Sequence, residues 1–249
     1  VRRHSVETST STMDTRLDEI ADGIFRISRH LPDIAPNGLT ISQFLVLADE
    51  PLLFLLGMRS GFGEMVETLE RVLPVPRLRW LSFGHIEADE CGGLDLMLAA
   101  APYAQLAAAD AGVPGSLDDI CEQPARHLEP GEVIDLGGRR VLQISTPHAP
   151  HNREAHVLYE ETTRTLLCGD LFTQLGRGPA VMTGDLVEAA LDAEAACLMA
   201  APGPAVPAAL RALARFEPRT VATMHGSAFE GDGSSALGAL ADGWETRFG

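Results

Sequence analysis

Ser82-Phe83-Gly84-His85-Ile86-Glu87-Ala88-Asp89-Glu90-Cys91-Gly92-Gly93 decides how the rest of the chain is read. Four strong metal-ligand types, His85, Glu87, Asp89 and Glu90, fall within six positions. They follow residues 78–83, an apolar run of strand length that reads as a buried strand. Alternate residues on an extended backbone point the same way, so His85 and Glu87 can reach one common point. Asp89 and Glu90 then stand where the chain turns toward a helix expected at 93–100. The pair Gly92-Gly93 lets backbone pass close to a crowded site.

Three later segments repeat the arrangement. Thr146-Pro147-His148-Ala149-Pro150-His151-Asn152 follows a strand expected at 140–145, and Leu166-Leu167-Cys168-Gly169-Asp170 places an aspartate after another. Val221-Ala222-Thr223-Met224-His225 ends a third on a histidine. Polar side chains gathered at strand ends make a site held by a rigid scaffold. The other expected strands are 23–28, 39–47, 52–56, 104–108, 133–136, 157–160 and 165–168, with helices at 61–73, 185–200, 207–216 and 236–246. Strand pairs mixed with helices in both halves fit two sheets face to face with helices outside.

With 249 residues and 45% hydrophobic content, the chain suits one large globular domain. Residues 1–17, Ser/Thr-rich after a basic start, are expected to be a flexible tail, and 18–249 a single domain. The net charge of −16 argues against nucleic acid as a partner. No apolar run approaches the roughly 18 residues needed to span a membrane, and none precedes a signal cleavage site. Cys91, Cys121, Cys168 and Cys197 form no CxxC pair, so neither a zinc ribbon nor a disulfide framework is indicated. A cytoplasmic location is therefore expected.

The order His85-x-Glu87-x-Asp89, His151, Asp170, His225 resembles the metallo-β-lactamase fold superfamily. More narrowly it resembles the flavodiiron proteins and the stand-alone oxygen-binding diiron proteins, over roughly residues 18–245. The resemblance implies an α/β fold, an αβ/βα four-layer sandwich of two mixed sheets flanked by helices, with two metal ions at one edge. It assigns one iron to His85, Glu87 and His151, the other to Asp89, Glu90 and His225, and makes Asp170 the bridge. The family has histidine after Asp89; here Glu90 stands in its place and is expected to ligate the second ion. Spacing to Asp170 favours His151 over His148, which is left to support the ligands or line the pocket with Phe172, Thr173 and Gln174.

Glu87 supplies a hard anionic donor where zinc hydrolases of the superfamily have histidine. Such a donor suits iron better than an all-imidazole set, with zinc and manganese as alternatives. Glu87, Asp89, Glu90 and Asp170 would balance two divalent ions. The expected function is to bind or reduce O₂ or NO; the alternative is a hydrolase of the glyoxalase-II or lactonase type. The short stretch after His225 leaves no room for a flavodoxin-like domain, so no flavin is expected on this chain and electrons would come from a separate donor protein. A homodimer is compatible with this reading.

Overall fold

A computed structural model describes residues 15–109, 120–201 and 203–249. The first sheet is laid down in sequence order: β1 (Thr15–Ala21), β2 (Ile24–Leu31), β3 (Leu39–Val46), β4 (Leu52–Phe54), β5 (Trp80–Ser82), β6 (Gln105–Ala109) and β7 (Arg126–Leu128). β1 to β4 pair antiparallel, and β4 to β7 parallel. The second sheet uses β8 (Val133–Asp135), β9 (Arg140–Ser145), β10 (His156–Glu160), β11 (Thr165–Leu167), β12 (Val181–Met182), β13 (Thr220–Ala222) and β14 (Ala228–Glu230). Its spatial order is β12-β14-β13-β11-β10-β9-β8, again with an antiparallel meander and parallel pairs.

The parallel stretch explains the unbroken run Leu52-Leu53-Phe54, which is buried on both faces. In the second sheet the two-residue alternation separates two apolar layers. Leu158, Leu167 and Ala222 turn inward to the core shared with the first sheet. Val157, Tyr159, Leu166 and Val221 turn outward. Helices cover both outer faces. α1 (Phe62–Leu69), α2 (Ala88–Cys91) and α3 (Leu94–Ala100) belong to the first half. Met65, Leu69, Met97 and Leu98 pack into its core. α4 (Val187–Cys197), α5 (Ala205–Ala214) and α6 (Gly233–Phe248) cover the second sheet through Leu191, Leu210, Leu237 and Leu240. The result is the αβ/βα sandwich of two mixed seven-stranded sheets.

The expected tail needs correction at its end. Residues 1–14 lie outside the described residues, but Thr15–Ala21 is a strand paired with β2 from Thr15 onward. Ile20 is buried and Leu17 packs on the core, so 15–17 belong to the sheet. The helix expected at 61–73 is also shorter: it ends at Leu69, and a 3-10 turn follows at Val75–Arg77 with Pro76 in its first turn. Among the described residues no helix is long and apolar enough to cross a membrane.

Candidate metal centre

Four connections at one edge of the sandwich deliver the site. After β5 the chain passes Phe83 and Gly84 and presents His85, almost wholly buried. Glu87 is still extended, so the two side chains share a side, and His85 Nε2 lies 2.9 Å from Glu87 Oε2. The single turn of α2 then carries Asp89 round to the opposite side. After β9, the turn 146–155 is closed by Thr146 N–H to Ala155 O (2.8 Å) and His148 N–H to Asn152 O (2.7 Å). It presents His151, whose Nε2 is 2.8 Å from Glu87 Oε2 and 2.6 Å from His85 Nε2. Two bonds join this turn to the first loop: Asn152 Nδ2 donates to Ile86 O (3.3 Å), and Ile86 N–H to Glu154 Oε1 (3.1 Å).

Gly169, at φ +53°, turns the chain after β11 so that Asp170 points into the same space. Its two oxygens serve two sets of nitrogen. Oδ2 lies 3.6 Å from His85 Nε2 and 3.7 Å from His151 Nε2, while Oδ1 lies 3.2 Å from His225 Nε2. His225 follows β13, and its Nε2 is 3.4 Å from Asp89 Oδ2. On its other side Nδ1 donates to the Thr40 carbonyl at 2.9 Å; a carbonyl only accepts, so Nδ1 carries a hydrogen and Nε2 faces the carboxylates.

The arrangement fits metal ions. Donor atoms of His85, Glu87, His151 and Asp170 all lie within 4.8 Å of one another. Two donors each about 2.1 Å from one ion stand roughly 3.0–3.4 Å apart, and the spacings here run on either side of that. Buried Asp170 Oδ1 has no hydrogen-bond partner among protein atoms. Electrostatics point the same way. Burial by itself would lower the His85 imidazole, but Glu87, Glu90 and Asp170 outweigh it and push its pKa up to about 11. Asp170 and Asp89 likewise overcome burial and raise His225 to about 10. His151 is raised, chiefly by Glu87, and Glu87 is held well below the usual carboxylate range by His151 and His85. The pocket demands positive charge, which protons supply until an ion displaces them.

Glu90 is not where the motif placed it. It is fully buried, and its carboxylate meets Gly84 and His85. Oε2 accepts from Gly84 N–H at 2.5 Å and His85 N–H at 2.8 Å, and Oε1 lies 3.1 Å from His85 Nδ1 without a well-aligned hydrogen bond. On the single turn of α2 the side chains of Asp89 and Glu90 diverge by about 100°, and the Gly84 and His85 N–H groups hold the Glu90 carboxylate on the His85 side. His148 also stays out of the cluster, exposed at φ +63° on the outside of its turn. Phe172 and Thr173 line a small cavity beside Asp170 with Glu194 and Trp244. Gln174 instead ties the Asp170 turn to the His225 loop, through its backbone N–H to His225 O (3.0 Å) and Nε2 to Ser227 O (3.3 Å).

Sequence reasoning missed Arg26, a buried guanidinium on β2 that donates to Gly226 O at 2.5 Å and to Ser42 Oγ at 3.0 Å, anchoring the residue after His225. It also missed Glu194 and the Thr40 carbonyl. Arg26 shares β2 with Ser28, Arg29 and His30, so the sequence did not single it out, and a backbone carbonyl leaves no signal at all.

Comparison with solved structures places this architecture. A metal-soaked flavodiiron core from Synechocystis sp. PCC6803 superposes with a TM-score of 0.79 at 22% identity, over 94% of this chain and 61% of that one. The fold is the metallo-β-lactamase fold. Among curated proteins of known sequence, this metallo-β-lactamase-fold chain is 33% identical over 152 residues to a hydroxyacylglutathione hydrolase of Acidiphilium cryptum, covering 58% of each. It is 26% identical over 141 residues to a type A flavoprotein of Rhodobacter capsulatus, covering 55% of this chain and 32% of the flavoprotein. The chain thus spans less than two thirds of the length of these relatives. No protein-family model matches it.

Proposed function

We propose that the chain holds a pair of metal ions, iron in both positions, and uses them to bind or reduce O₂ or NO. His85, Glu87 and His151 hold one ion, Asp89 and His225 the other, and Asp170 joins them. The observation that carries this reading is Glu87. Its carboxylate sits between the two imidazoles of the first half, within 2.9 Å of each. An anionic oxygen donor there favours iron over zinc and makes the ion a weaker Lewis acid. Likeness to flavodiiron cores and to a type A flavoprotein supports it. Bound iron would supply the redox chemistry. The residues of the chain orient the ions, the Thr40 carbonyl holds the His225 ring, and half-exposed Glu87 leaves a way in for a small ligand. Electrons would come from a donor protein.

One observation favours a second reading. The hydroxyacylglutathione hydrolase relative has the higher identity of the two curated proteins, and a metal pair also activates water for ester hydrolysis. Metal analysis of protein made in iron-supplemented cells, with visible spectra before and after anaerobic reduction, separates them. Iron with an O₂-sensitive absorption supports the first; a colourless zinc protein that cleaves thioesters rejects it.

A further inference from the structure

We infer that Glu90 is a positioning residue for His85, and that its commitment there leaves the Asp89–His225 half of the centre one protein ligand short. This rests on the metal-centre reading above.

The buried carboxylate has a built receptacle. Oε2 takes two backbone N–H groups, from Gly84 and His85, at 2.5 and 2.8 Å. The walls are two glycines. A Cβ on Gly84 would lie 3.1 and 3.2 Å from the two carboxylate oxygens, and one on Gly169 would lie 3.0 Å from Oε1. Gly84 precedes His85 and Gly169 precedes Asp170, so the receptacle is formed by the two segments that carry these residues. Oε1 stands 3.1 Å from Nδ1 of His85 and has no other partner. An ion on Nε2 leaves Nδ1 as the only ring N–H of His85. Glu90 Oε1 is the acceptor at hand, and a small turn of the ring aligns the pair. A carboxylate in that role fixes the tautomer and makes the ring a stronger donor to metal.

Among the described residues, Asp89 and His225, with the shared Asp170, are the donor side chains of the second half, while the Glu90 carboxylate is held by Gly84 and His85. The two ions should therefore bind with unequal strength, the His85 half first.

The test uses zinc, which is diamagnetic, added to the metal-free full chain in competition with a chelator. ¹⁵N-histidine NMR follows each ring. In the parent, two unequal steps are expected, with His85 and His151 shifting before His225, and the zinc-bound His85 should show a downfield, slowly exchanging Nδ1–H. Glu90→Gln keeps the size and an oxygen for the two backbone N–H groups, so a purely structural role survives it. Its amide N–H₂ then opposes His85 Nδ1–H, and the tight step should weaken about 10–100-fold while the weak step holds. If the weak step alone is lost, Glu90 ligates the second ion and the inference is wrong. Unchanged steps in Glu90→Gln, or a parent His85 without that Nδ1–H signal, also overturn it. Should Glu90→Gln not fold, the parent spectrum decides. A parent that binds no zinc, iron or cobalt sinks the metal-centre reading itself, a result distinct from the others.

Discussion

The two halves of the centre share Asp170 and differ in almost everything else. The His85 half is compact, with donor atoms 2.6–2.9 Å apart, three side chains from two loops and an outer rim where Glu87 is half exposed. The His225 half is deeper. Its own pair, Asp89 and His225, stands 3.4 Å apart, but it lies closer to Asp170, at 3.2 Å against 3.6 and 3.7 Å for the His85 half, and it is braced from behind by Thr40 and indirectly by Arg26. On the inference above, the orientation of Glu90 is what makes the two halves unequal. The half with more donor side chains is the more open to solvent, and the half with fewer is the better buried.

The largest effect should come from breaking what the halves share. Asp170→Asn replaces a bridging carboxylate by an amide that is a poor bridge, and metal analysis after gel filtration should find neither ion retained. Full occupancy in this variant would show that the halves are independent. Next in size are the variants that touch one half each. His151→Ala should lose one ion and keep the other, and His225→Ala should do the reverse. If either variant empties the whole centre, cooperative binding has hidden the asymmetry.

A smaller effect is expected from pH. In the ion-free protein His85 and His225 are raised to about 11 and about 10, above their ordinary 6.5. A group raised on folding stabilises fully below its unfolded pKa and loses that contribution as pH climbs to the folded value. The Tm of ion-free protein should therefore fall from about pH 7 toward pH 10. Metal-loaded protein, whose imidazoles have exchanged protons for ions, should fall less over the same range. Parallel curves for the two forms would argue against ions occupying these rings. The smallest effect belongs to His148→Asn, which suits the positive φ of that position. Metal content should be unchanged and stability altered by less than about 0.5 kcal/mol. Loss of an ion here would mean that the turn 146–155 presents the wrong histidine.

Most long elements were legible because their apolar residues repeat at the period of the element. The strand expected at 140–145 is β9 to the residue, and 39–47 and 104–108 are β3 and β6 to within a residue at each end. What escaped notice was short or at an edge. β1, β7 and β12 lie at sheet edges, where one neighbour and little burial leave a weak pattern. β1 carries Arg16, Asp18 and Glu19, and its first three residues fell within the expected tail 1–17.

The sequence by itself determined that donors of the right chemistry stand at the ends of buried strands and in an order that implies this fold. Strand ends have fixed directions, so that information is local. It also determined His85, Glu87, His151, Asp170, Asp89 and His225 as the group that the structure draws together. Only the tertiary structure decided which way Glu90 faces. Its direction depends on the one-turn helix between Glu87 and Gly92, and on space left by Gly84 and by Gly169, which is far away in sequence. A carboxylate goes where backbone N–H groups and room coincide, and that coincidence exists only once both sheets have packed.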